Sequence, residues 1–189
     1  MAEEGRQETR EEEVARVRSY LAGQSLRRTP VQLLETVREA HQQFLAAVAA
    51  VPDALLRTTP REGEWATIDV LKHVRDIAAY DVSAISTVLE RGEKPPDIQD
   101  VIVPAPAEVT REGLLEEVKR SAEQLDAVVL RADPMAHLDI TWSHPEFGAM
   151  HWREWLLFHR VHTLDHVRQI QASATALVEQ GEIGREAGH

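Results

Sequence analysis

Residues 151–170 read HWREWLLFHRVHTLDHVRQI. Trp155, Leu156, Phe158, Val161, Leu164, Val167 and Ile170 recur at helical spacing. This predicts a long amphipathic helix from about His151 to Glu179, ended by Gly181 and Gly184. Within it, His159, His162 and His166 follow one another at steps of three and four. At 100° per residue such steps return to within roughly 60° of their start, so the three imidazoles share one face. Two imidazoles four apart can grip one ion, because successive turns bring their ring nitrogens to the same side for bonds of about 2.0 to 2.1 Å to zinc. Taken alone, the HxxxH spacing also fits a solvated helical face or a hydrogen-bonded interior pair.

Three more helices precede this one. Thr29 reads as an N-cap with Pro30 at the first helical position, and Leu33, Leu34, Val37, Phe44, Leu45 and Val48 carry an apolar face as far as Val51-Pro52. After the loop TTPREGEW (58–65), Thr67 opens a helix with Val70, Leu71, Val74, Ile77 and Ala78 on its buried face, stopped by Arg91-Gly92. From Thr110 to about Arg131, Leu114, Leu115, Val118, Leu125 and Val128 or Val129 repeat at the same period. Between these last two, Pro95, Pro96, Pro104 and Pro106 remove backbone donors and fix dihedrals, so Glu93 to Val109 is expected to be a long irregular crossover that permits non-adjacent helices.

Residues 1–28 are charge-dense, with Val14, Val17 and Leu21 on a narrow apolar stripe, and read as an appended helix frayed at its start. No convincing strand pair or internal repeat appears. The expected fold is therefore all-α: a four-helix bundle over residues 29–178 with a long crossover, an additional N-terminal helix in 1–28 and a flexible C-terminal tail in 179–189.

Composition narrows the function. A formal net charge of -11 opposes binding to phosphate backbones, so nucleic acid is not an expected partner. No apolar run approaches the ~20 residues that cross a bilayer, and the Glu-rich N-terminus does not resemble a signal peptide. The expectation is a cytoplasmic protein with no membrane partner. Cysteine is absent, which excludes disulfides and thiolate ligands and requires that any thiol chemistry use an external thiol.

The second helix carries a polar stripe of Asp69, His73, Asp76 and Tyr80 beside its buried face. Unpaired buried polar groups cost on the order of 1 to 3 kcal/mol each, and a shared ion is one partner that satisfies several together. Spacing cannot join His73 to His162 and His166. Isolated histidines such as His41, His137 and His189 read as surface or internally satisfied residues.

Three segments resemble the DinB/YfiT-like family of four-helix-bundle metal-dependent enzymes. EGEWATIDVLKHVRDIAAYD (62–81) is similar to the family's Trp followed by a helical His and an acidic residue one turn on, which implies His73 as the first ligand. FHRVHTLDHVRQI (158–170) resembles its ligand helix, which implies His162 and His166 with Gln169 beside them. WSHPEFGAMHWREWLLFH (142–159) is similar to a loop and helix start found in a subset of members. The likeness spans roughly residues 29–178; Arg168 departs from it, standing where members often have Gly.

The resemblance implies one divalent transition metal, zinc or nickel ahead of iron, on His73, His162 and His166. Three imidazoles leave a coordination position open, as catalytic sites do. Asp76, one turn after His73, is the expected orienting partner, with Asp165 a weaker candidate. His159 is expected to line the pocket, and His159 and Asp76 are the candidate catalytic residues. The family includes transferases that use low-molecular-weight thiols, so the leading expectation is a thiol S-transferase acting on a small-molecule substrate. The alternatives are a hydrolase using metal-activated water, or a non-catalytic metal-binding dimerisation module. A homodimer is expected.

Overall fold

The computed structural model describes residues 8–98 and 101–186. The elements follow the order α1 (Arg10–Ser25), α2 (Pro30–Ala49), a short 3-10 turn (Asp53–Leu55), α3 (Thr67–Arg91), α4 (Arg111–Val129), β1 (Thr141–His144), β2 (Gly148–His151) and α5 (Trp152–Glu186). The expected four-helix bundle is thus α2 to α5, with α1 added. Residues 1–7 of the N-terminal segment, 99–100 of the crossover and 187–189 of the tail, His189 included, lie outside the described residues.

Local chemistry accounts for the helix ends. The Thr29 hydroxyl accepts from the Gln32 amide at 3.2 Å while the Gln32 side chain accepts from the Thr29 amide at 2.9 Å, a reciprocal cap in front of Pro30. Asp69 accepts from the Ala66 amide at the start of α3 and from the Ala105 amide of the crossover, so it serves the helix N-terminus. Gly92 ends α3 in the left-handed region at φ 65°, where a glycine carries no Cβ penalty.

Pairings between side chains give the helix directions. Arg75 of α3 meets Glu117 of α4, and Glu90 near the end of α3 meets Arg131 just beyond α4, so these neighbours run parallel. In contrast, His73 meets His162 while Tyr80 packs on Trp155, which makes α3 and α5 antiparallel. A parallel neighbour cannot be reached by a tight turn, and residues 92–110 supply the return path. The long crossover, which would also have permitted non-adjacent helices, here joins adjacent parallel ones. Its carbonyls at Pro106, Ala107 and Val109 are held by the Arg57 guanidinium, and its Pro96 carbonyl accepts from the Tyr80 hydroxyl at 2.7 Å.

Two expectations are corrected. Residues 141–151 form an antiparallel hairpin, with Trp142 opposite Met150 and His144 opposite Gly148. Trp142 and Met150 are fully buried, and Trp142 stacks on Trp155 with ring centroids 5.2 Å apart. The turn is secured by His144 Nδ1, which accepts from the amides of Glu146 and Phe147, and by Gly148 at φ 72°. The second correction is at the C-terminus, where α5 continues through Gly181 and Gly184 to Glu186 instead of giving way to a tail at residue 179. Glycine inside a helix costs roughly 1 kcal/mol relative to alanine, which is too little to stop a helix already built.

α1 is more than an appendage. Leu21 is fully buried in the core with Leu33, Leu34 and Ile85. Buried Arg153 donates to the Ser25 carbonyl at 2.9 Å, to the Pro134 carbonyl at 2.9 Å and to the Arg28 carbonyl, pinning the end of α1 to α5.

The core falls into two apolar clusters. One includes Val37, Ile77, Ala84 and residues 155–158 of α5; the other includes Phe44, Val70, Leu71, Val74, Val167 and Ile170. Along α2 and α5 the boundary between them is polar: His41 on α2, and His159, His162 and His166 on α5.

Candidate metal centre

α3 and α5 face each other antiparallel, and this brings His73 to the two histidines of α5. Nε2 of His73 lies 3.0 Å from Nε2 of His162, which in turn lies 3.1 Å from Nε2 of His166. The His166 ring sits edge to face with both others and the His73 and His162 rings are tilted at 56°, with centroids 4.4 to 5.0 Å apart. His73 is buried and the other two are half-buried. Among the described residues these are the one group of three or more His, Asp or Glu side chains whose ligand atoms lie within 4.8 Å of one another.

Hydrogen bonding accounts poorly for this arrangement. Nδ1 of His166 lies 2.8 Å from the side-chain oxygen of Gln169, which can only accept, so Nδ1 carries the proton and Nε2 of the neutral ring presents its lone pair. Nε2 of His162 faces that lone pair and Nε2 of His73 at once, and one N–H cannot lie along both directions. A cation takes up every lone pair together. Two imidazoles on one tetrahedral ion, with bonds of 2.0 to 2.1 Å, have nitrogens about 3.3 Å apart, close to the spacings found. The donor set therefore fits a divalent ion.

The protonation state agrees. Removal from water holds the His162 pKa well below the ordinary imidazole value, and the neighbouring rings of His166, His73, His159 and His144 push it the same way. The neutral ring is the form that ligates a metal. Nδ1 of His162 is buried with no hydrogen-bond partner among the described residues, so its tautomer is not fixed from behind as that of His166 is.

Residues 36–170 match the family model of the DinB superfamily. The chain belongs to the DinB superfamily. A search of curated proteins returned no match. Among solved structures, the four-helix bundle protein TT2238 is similar at 22% identity and a TM-score of 0.60, over 76% of this chain and 99% of that one. YfiT from Bacillus subtilis, a probable metal-dependent hydrolase with an unusual four-helix bundle topology, is similar at 18% identity and a TM-score of 0.61, over 78% of this chain and 87% of its own. At these identities the likeness to the two structures concerns the fold.

In this DinB-superfamily chain the other expected site residues have partners of their own. Asp76, expected beside His73, pairs with Lys72 at 2.7 Å and Arg75 at 3.2 Å on a partly exposed face of α3. His159, expected to line the pocket, is 1% exposed. Its Nδ1 lies 2.5 Å from Oδ2 of Asp81, and its Nε2 lies 2.7 Å from Nε2 of His41. Asp165 is engaged by Arg168 at 2.6 Å.

His41, expected to be a surface or internally satisfied residue, is buried against His159, and Asp81 had been given no role. The signal was present in each case: His41 stands in phase with Val37 and Phe44, and Asp81 in phase with Ile77 and Ala84, so both interrupt apolar stripes. Burial, and then the proximity of His159, push the His41 pKa down to about 3. His41 is therefore neutral at physiological pH.

Proposed function

We propose that the protein is a metal-dependent enzyme acting on a small-molecule substrate, with a divalent transition ion, zinc or nickel ahead of iron, held by His73, His162 and His166. The convergence of three Nε2 atoms, with no carboxylate or thiolate among them, carries this reading. Such an ion supplies Lewis acidity, which favours the deprotonated form of a thiol or of water and polarises a carbonyl. The chain's own residues prepare the donors. Gln169 holds the His166 tautomer that leaves Nε2 free to ligate, and removal from water keeps the His162 ring neutral.

Within this reading the first reaction is transfer to or from a low-molecular-weight thiol, as the family resemblance implies, and with no cysteine in the chain that thiol must be external. Hydrolysis is the second, and the likeness in fold to YfiT favours it. The two part on one measurement: turnover of an electrophile panel by metal-loaded protein, with and without an added thiol. Activity that does not need the thiol eliminates the transferase. Metal analysis of tag-free protein tests the shared premise, and full occupancy in both His73→Ala and His162→Ala would defeat the ligand set.

A further inference from the structure

Beside the candidate centre lies a second chain of buried polar groups. Asp81, His159 and His41 are 0%, 1% and 5% exposed, and they join α3, α5 and α2 in that order through contacts of 2.5 and 2.7 Å. An aspartate and two imidazoles inside an apolar core are a poor source of net stability. Replacing a buried charged network by apolar groups of similar volume is often neutral or stabilising, and the best-attested use of such a network is to fix the register of packed elements.

The location suits that use. Asp81 follows His73 by eight residues on α3, and His159 precedes His162 by three on α5. The same two antiparallel helices are therefore cross-linked twice, by His73 with His162 and again by Asp81 with His159, about two turns on along α3 and less than one turn back along α5. A hydrogen bond is directional, so the contact with Asp81 restricts the height and rotation of α5 more narrowly than non-directional apolar contacts do. His41 adds α2, which contributes no ligand, to the same constraint.

We propose that the Asp81–His159–His41 chain is a positioning device that sets the rotation and height of α5 against α3 and so holds His162 in reach of His73 before an ion arrives. This rests on the metal reading for its consequence, though the positioning itself is a property of the protein alone.

The test uses His159→Phe, which fills the space and removes both contacts, and Asp81→Asn, which keeps an acceptor and removes the charge. Two quantities are measured on each folded variant: Co(II) affinity by its visible spectrum, and the NOE between the ring Hε1 protons of His73 and His162 in metal-free protein. Positioning predicts that His159→Phe binds Co(II) on the order of 10- to 100-fold more weakly, as loss of an orienting partner does elsewhere, with the NOE weakened and the helicity kept. Asp81→Asn falls between it and the wild type. A chain serving only stability lowers the melting temperature and leaves both quantities at wild-type values, and that result overturns the proposal. If His159→Phe does not fold, Asp81→Asn decides by the same criterion. A wild-type protein that takes up no Co(II) ends the metal reading alone, because the NOE still decides the positioning.

Discussion

Nε2 of His162 stands 3.0 Å from Nε2 of His73, although 89 residues separate them in sequence. The two belong to different helices, so the arrangement exists only in the folded chain, and an ion bound there is linked to folding. At a free ion concentration about 100 times Kd the linkage amounts to about 2.7 kcal/mol. For a chain of this size that is a rise in melting temperature of roughly 5 to 11 °C. Thermal melts with Zn(II), and again after addition of EDTA, are expected to show this rise and its reversal. His162→Ala, which removes the nitrogen facing both others, is expected to abolish the shift; a full shift in that variant contradicts the site.

The metal-free protein is expected to lose stability in mild acid. His41 is held neutral by burial, with a folded pKa of about 3 against an ordinary value near 6.5. Between these two values the unfolded chain binds a proton that the folded chain does not. Stability therefore rises with pH across this window, is fully present above about 6.5, and is lost as pH falls toward 3. His162 is depressed in the same direction and adds to the slope. Urea unfolding at pH 7.5 and pH 5 is expected to differ by on the order of 2 kcal/mol through His41. His41→Gln keeps a donor for His159 but cannot titrate, so its profile is expected to be flatter; an unchanged slope rules out the His41 contribution.

The helices were legible because their apolar positions repeat at 3.6 residues over three or more turns, as Val70, Leu71, Val74, Ile77 and Ala78 do on α3. The hairpin was not. Its strands have four residues each, pair only with one another, and enclose Pro145, so neither length nor alternation marks them. The ligand pair His162 and His166 could be seen because both lie on one helix. His73 needed a resemblance, since spacing carries no information between helices. The partners of His159 were hidden for the same reason: Asp81 and His41 are 78 and 118 residues away, and only the fold supplies those distances. Asp76 was misplaced because stepping three residues along a helix leaves a choice of faces, and the nearby cations Lys72 and Arg75 decide it.

Arg153 is expected to govern the attachment of α1. Its guanidinium donates to the carbonyls of Ser25 at the buried end of α1, of Arg28 just beyond it and of Pro134 in the loop after α4. Arg153→Met keeps the aliphatic bulk and removes the donors, at a cost of about 3 kcal/mol. The expected signs are a melting temperature lower by roughly 6 to 12 °C and faster proteolysis within α1 under native conditions. A variant that melts lower with α1 equally protected would mean that Leu21, and not Arg153, secures the helix.

Gln169 is expected to tune affinity without being a ligand. Its side-chain oxygen, 2.8 Å from Nδ1 of His166, fixes the proton there and leaves the Nε2 lone pair toward His162. In Gln169→Leu the ring is free to move the proton to Nε2, and each binding event must reverse that choice. Metal affinity is then expected to fall on the order of 10- to 100-fold, while Gln169→Glu, an anionic acceptor that makes the imidazole more basic, is expected to bind at least as tightly as wild type. Competition with a chromophoric chelator at pH 7.5 measures all three proteins. A surface role for Gln169 predicts equal affinities, whereas orientation of His166 predicts the order Glu, Gln, Leu, and the glutamate variant separates that order from simple loss of packing.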